Sequence, residues 1–263
     1  MKIKAERGPT FVIGRIWRYM QHTLGLIAFL LAWQALSVRT GLISTPYETL
    51  TRLGTVWSTP VAKVSMIMHV LISMRRVFLS IAGAIVIGIP LGIMMGWNQR
   101  FRAVVWPIFE TIRPIPPISL IPLFTLWMGT GEISRVAIIF FGVLMPITVN
   151  STVGVEMVPL LNIDVGRIFG ASKKDMFIDV IWPSSIPAIF AGIRVSLSSG
   201  WCVLLASEML GARSGLGYLI MQGSYNNDIE LSIVGMLMIG LLGALFAVVF
   251  DCIERWICPW LKN

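Results

Sequence analysis

The residues able to do chemistry in this 263-residue sequence gather in three places, and none of the three makes a catalytic set. Asp164, Arg167, Lys173, Lys174, Asp175 and Asp179 crowd the stretch NIDVGRIFGASKKDMFIDVIWP, Asn162 to Pro183, between two long apolar runs. A bilayer cannot solvate such a density of charge, so the stretch must lie in water. Glu110 and Arg113 stand inside another apolar run, beside Pro114, Pro116 and Pro117. Glu208 closes a third, five residues before Arg213. No Gly-x-x-x-x-Gly-Lys-[Ser/Thr] phosphate loop occurs, so the chain is not expected to hold or hydrolyse a nucleotide, and no cofactor or metal of its own is expected. His22 and His69 fit no metal pattern and read as membrane-edge residues. Cys202, Cys252 and Cys258 have no metal spacing, and an odd number in apolar surroundings argues against a disulfide framework. Without a nucleophile elbow or a placed base there is no hydrolase site, and an intramembrane enzyme would need a pair that is missing.

What positions these groups is a membrane. The sequence is 56% hydrophobic and 13% charged, with mean hydropathy +0.81, against about 25% charged in a typical globular domain. At roughly 20 residues per crossing of a core about 30 Å thick, the chain has room for five or six spans. The fold class is therefore all-α, a polytopic transmembrane helical bundle of about six spans. The net charge of +8 is spread over short loops, which topology explains better than nucleic acid does. Lys2, Lys4, Arg7, Arg15 and Arg18 precede the run His22 to Val38, which no small-residue cleavage site ends. Residues 1–21 read as a cytoplasmic segment and 22–263 as the transmembrane domain.

The remaining runs follow in order. Gly41 to Ser65 reads as an amphipathic outer segment, with Pro46 at a first helical position after Thr45 and Leu50, Leu53 and Val56 on one face. Arg76 to Trp97 is a span whose Gly83, Gly88 and Gly92 allow close helix approach. Ala103 to Met128 is broken by its prolines, which remove donors and push their predecessors out of the helical region. Arg113 there costs roughly 2.5 to 3.5 kcal/mol if it faces lipid. Either it lines a path suited to an anion, or it is neutralised by Glu110 three residues before it. Arg135 to Val155 and Ile186 to Leu210 are the next spans. In the latter, Ser196 and Gly200 predict a close helix contact, and Glu208 is either functional or the interfacial partner of Arg213. The glycine-rich turn after Gly211 leads into an apolar helix too short to span. The last run, Ile229 to Val249, ends in Asp251, Glu254 and Arg255.

Within Asn162 to Pro183, Leu161, Val165, Ile168 and Phe169 put one apolar stripe on a short helix, and Gly170 ends it in a left-handed turn. Ser172 with Asp175 predicts a capping box that starts a second helix, with Met176, Phe177, Val180 and Ile181 on its apolar face and a stop at Pro183. The unit is expected to lie against the membrane with its charges toward the cytosol.

Asp164-Val165-Gly166, then Gly170, then Val180-Ile181-Trp182-Pro183 resembles the cytoplasmic signature loop of ATP-binding-cassette (ABC) importer permeases. The family usually has Glu-Ala-Ala at the first triplet and Ile-x-Leu-Pro at the end. Here Asp, Val and Gly replace the triplet, Val180 replaces Ile and Trp182 replaces Leu. Arg113 to Arg135 and Ala206 to Ile220 are similar to the nitrate, sulfonate and taurine uptake group. The resemblance implies a type I importer permease fold in the bacterial inner membrane, working as a homodimer with a cytoplasmic ATPase dimer, which binds the ATP and Mg, and an external solute-binding protein. It implies that Asp164, Gly166, Arg167, Gly170, Ala171, Ser172, Lys173 and Asp175 couple to the ATPase by alternating access. Arg113, Pro114, Pro116, Ser198, Ser199 and Glu208 are the expected pathway residues. A taurine-like sulfonate is the expected solute, since an Arg in the broken span suits an anion. A proton-coupled secondary carrier would also place acids in spans, but it would show two similar halves, and the sequence has none.

Overall fold

Hydropathy dictates long apolar helices, and the computed structural model of the chain, which describes residues 9–259, is built from them. Helix α1 (Pro9–Thr40) is followed by the short α2 (Pro46–Ser58) and the long α3 (Met66–Trp97). The third apolar run is broken as its prolines require, into α4 (Gln99–Ile112), a 3-10 turn (Pro117–Leu120) and α5 (Ile121–Met128). Then come α6 (Glu132–Glu156), α7 (Leu160–Ile168), α8 (Lys173–Asp175), a π-helical turn (Met176–Ile181), α9 (Trp182–Met209), α10 (Leu216–Tyr225) and α11 (Ile229–Ile257). Among the described residues, five helical stretches are long and apolar enough to cross a membrane, and the broken run supplies the sixth hydrophobic segment. No β-strand occurs among the described residues.

The core is the stack of α3 on α6 on α9. Without a hydrophobic difference between helix and lipid tail, such a contact depends on close backbone approach. Gly88, Gly92 and Gly96, four apart on α3, face Thr148, Ser151, Thr152 and Val155 of α6, where an added methyl would collide. The hydroxyls of Thr148, Ser151 and Thr152 each bond the carbonyl four residues back, at 2.9, 2.7 and 3.0 Å, so this polar stripe is satisfied before it is packed. On the next face Ser196 donates to the Val143 carbonyl at 2.9 Å and Gly200 meets Val143, the close contact expected of that pair.

Several expectations are corrected. Helix α3 begins at Met66 rather than Arg76, because Ser65 caps it and the polar residues of its first turns are buried in protein instead of facing lipid. His69, expected at a membrane edge, is fully buried. The helix after Ser172 does not stop at Pro183 but continues to Met209, 37 residues in all. The wide turn at Met176–Ile181 is the reason: the Trp182 amide bonds back to the Phe177 carbonyl, so Pro183 falls in the first turn of a new helical register, where its missing N–H is not needed. Helix α2 has the expected start, a reciprocal capping box of Thr45 and Glu48 with Pro46 inside it, but Leu50 is exposed while Val56 is buried. Helix α1 runs unbroken past residue 22, and the basic residues Lys2, Lys4, Arg7 and Lys262 lie outside the described residues.

Candidate functional site

The charged elbow between α6 and α9 is a rigid construction. Gly170 has φ +75°, the left-handed turn its position predicts. The Ala171 amide bonds the Gly166 carbonyl and the Gly170 amide bonds the Arg167 carbonyl, both at 3.0 Å. These are the paired bonds of a Schellman motif. The next helix starts at once: the Asp175 amide donates to Ser172 Oγ at 3.3 Å and the Ser172 amide to the Asp175 carboxylate at 3.1 Å, which is the predicted capping box. Met176 and Ile181 are buried, and a Cβ on Gly166 would run into Met176, so α7 is laid directly on the wide turn. Trp97 at the end of α3 meets the Phe177 ring edge-on, with centroids 5.8 Å apart. The apolar stripe of α7 is left outside this packing: Ile168 is 82% and Phe169 86% exposed, with Leu161 and Val165 beside them. Asp164, Arg167, Lys173 and Asp175 are exposed around it, and Arg167 pairs with Asp164 at 3.3 Å.

Arg113 closes α4 and reaches Glu110 at 3.4 Å, the pairing that one of its two readings expected. It also lines a cavity of about 300 Å³ with Ile115, Pro117, Pro146, Asn150 and Ser199. Broken span, α6 and α9 thus meet at one mostly apolar hollow with a guanidinium, an amide and a hydroxyl in its wall. Of the other expected pathway residues, Ser199 joins Arg113 there, while Pro114, Pro116 and Ser198 are exposed and do not line the cavity.

Glu208 is elsewhere, at the end of the bundle opposite the elbow. Its partner is Arg76 of α3 rather than Arg213, because the first turns of α3 are packed against α9 and α10 while Arg213 is exposed. Both Arg76 and Glu208 are 1% exposed. Arg76 Nη1 donates to Glu208 Oε1 at 2.6 Å and to the Ser214 carbonyl at 2.9 Å, and the rest of its guanidinium is paired with Glu132 of α6. Ser73 Oγ lies 2.7 Å from the same carboxylate and accepts the Leu216 amide at 2.9 Å. The Gly217 amide donates to Glu208 Oε2 at 2.8 Å, and the Gly215 amide to His69 Nδ1 at 3.0 Å. Sequence reading missed His69, Ser73, Arg76 and Glu132 as members of this cluster. The signal was present: three polar residues at i, i+4 and i+7 on an otherwise apolar helix need buried partners, and Glu208 was an unclaimed acid. Among the described residues no group of His, Cys, Asp and Glu could hold a metal ion.

Comparison with known proteins gives the class of this bundle of spans with its exposed, capped elbow. Residues 88–263 match the family described as "Binding-protein-dependent transport system inner membrane component". The chain is 31% identical over 192 residues to the taurine transport system permease protein of Escherichia coli (strain K12), covering 73% of this chain and 70% of that one. It is 37% identical to a putative ABC transporter permease of Methanocaldococcus jannaschii, covering 75% and 74% of the two chains. It is 30% identical to a nitrate import permease of Synechocystis, covering 71% and 68%. Among solved structures, the inward-facing methionine ABC transporter MetNI shares the fold at TM-score 0.61 and 20% identity, over 73% of this chain and 95% of that one. The chain therefore belongs to the family of binding-protein-dependent transport inner membrane components: it is a multi-pass membrane protein and an ABC importer permease.

Proposed function

We infer that two copies of this permease form a path for a small organic or inorganic anion, driven by a cytoplasmic ATPase dimer that docks on the elbow and fed by a solute-binding protein at the opposite end. The N-terminus and the elbow face the cytosol in this reading. ATP and Mg belong to the ATPase. The observation that carries it is the elbow: a turn and a capping box hold Ile168 and Phe169 exposed, uncovered by the described residues. An apolar patch of that kind, rimmed by charge, marks a protein interaction site. Asp164, Gly166, Arg167, Gly170, Ala171, Ser172, Lys173 and Asp175 are the coupling residues because they build or rim that patch. The relatives named for taurine and nitrate support an anionic solute, as does Arg113 in the wall of the cavity. A sulfonate such as taurine is the first solute to try.

The test is uptake into proteoliposomes holding this chain, its ATPase and its binding protein. ATP-dependent accumulation of the sulfonate is expected, and accumulation driven by a proton gradient without ATP would overturn the reading. In the same assay Arg113→Ala is expected to lower uptake several-fold without reducing assembled complex, because an exposed ion pair such as Glu110–Arg113 contributes only about 0–1 kcal/mol to stability. Loss of complex in step with uptake would make Arg113 a structural residue.

A further inference from the structure

The elbow and the buried cluster are the two ends of one helix. From the capping box at Ser172 the chain is helical without interruption from Lys173 to Met209, 37 residues, or about 55 Å at 1.5 Å per residue. Its two prolines, Pro183 and Pro187, lie toward the elbow end, Pro183 in the first turn after the wide turn, where no N–H is needed. Beyond them the helix is clamped to α6 by the Ser196 and Gly200 contacts. At its far end Glu208 does something no ordinary helix contact does. Three successive amides at the start of α10, those of Gly215, Leu216 and Gly217, are satisfied not by their own loop but by His69, Ser73 and Glu208 from α3 and α9. The socket is shaped around the carboxylate: a Cβ on Gly215 would fall on the Glu208 carboxyl group, and one on Gly217 would meet Glu208 Cβ at 2.7 Å and the Leu205 carbonyl at 2.8 Å. Gly215 has φ +119°, so it is a glycine for backbone reasons as well.

We propose that Glu208 is a positioning residue for transport: by plugging the N-terminus of α10 onto α9 and α3, it makes α10 move with the elbow. The state of the binding protein at the outer mouth and the state of the ATPase at the inner face are then linked through one strut. A buried ion pair is a poor source of stability, since well-packed apolar residues often serve as well. What the Arg76–Glu208 pair supplies, with Glu132 beyond it, is a single fixed geometry among α3, α6, α9 and α10. Discrete, rigid contacts of this kind are what carry coupling between distant sites.

The inference rests on the reading that an ATPase drives the elbow, and the test separates the two. In the reconstituted complex, ATP hydrolysis is measured with and without liganded binding protein. Glu208→Gln keeps the size and an acceptor for the Gly217 amide but removes the charge facing Arg76. The basal rate is expected to stay within about twofold while stimulation by the binding protein falls roughly fivefold or more, the scale of a typical coupling loss. Ser73→Ala, which keeps the ion pair but loses the Leu216 contact and the hydroxyl's bond to the Glu208 carboxylate, should give a smaller loss of the same sign. It decides the matter in the same way if Glu208→Gln does not assemble. Full stimulation in the variants, or basal and stimulated rates falling together in proportion to assembled complex, would overturn the proposal. A wild-type assembly without ATPase activity would instead remove the proposed function and this inference with it.

Discussion

The two ends of the helix from Lys173 to Met209 are built on opposite plans. At the elbow, charges are exposed, ion pairs are local and a large apolar stripe is uncovered. At the Glu208 end, every ionised group of the central pair is buried and bonded to another helix. An uncovered end costs little to alter within the chain itself, and in the proposed function it is completed by the ATPase. A buried end whose central ion pair is bonded on every side is intolerant, since a half-satisfied polar network is worse than none. The contrast teaches where the chain's own stability resides and which end the proposed function leaves to a partner.

The largest effect should come from breaking the buried end by shape. Gly217→Val places atoms against Glu208 Cβ and the Leu205 carbonyl, neither of which can step aside. Loss of a monodisperse protein on size-exclusion chromatography is expected; a well-behaved variant would show the socket to be loose. The matching change at the elbow, Gly170→Val, meets no atom within 4 Å, so its cost is confined to a positive φ. A β-branched side chain there strains the turn by roughly 1–2 kcal/mol or more. Normal expression with about a tenfold drop in ATP-driven uptake is expected. If Gly170→Val unfolds the chain as Gly217→Val does, the contrast fails.

A smaller effect sharpens the picture just outside the spans. Asp228, which caps α11, pairs with Arg52 of α2 at 2.5 Å. Burial alone would raise its carboxyl, but the hydrogen bond from Arg52, the Leu231 amide and the Arg52 charge outweigh it and hold the group below the usual aspartate range. A depressed carboxyl contributes stability that is present above its unfolded pKa and lost as pH falls through the folded value. Asp228→Asn should therefore lower the thermal midpoint modestly at neutral pH, and the gap to wild type should close as the pH is taken below about 4. A gap independent of pH would mean that the Asp228 charge is not what stabilises this contact.

Much of the elbow was legible because its signals are local: Gly170, Ser172 and Asp175 state a turn and a cap in three residue types. Pro183 misled because a proline stops a regular helix, and only the wide turn of Met176–Ile181, which no residue type announces, lets the chain pass it. The Glu208 site was half legible. The acid stood out, but its partner lies 132 residues away on α3, and periodicity on one helix does not name the helix it meets. Arg213 was the near choice in sequence and the wrong one in space. The broken third span was plain from its prolines, whereas the cavity that Arg113 shares with Asn150 and Ser199 depends on three elements converging.

The most direct test of the central claim, that the elbow is a surface completed by a separate ATPase, is the labelling of a single cysteine. Phe169→Cys, in a chain with Cys202, Cys252 and Cys258 replaced, is treated with a membrane-impermeant maleimide in inside-out and right-side-out vesicles. Rapid reaction only in inside-out vesicles, strongly slowed when the ATPase is bound, is the expected result. Reaction from the outside, or a rate in inside-out vesicles that the ATPase does not change, would contradict it.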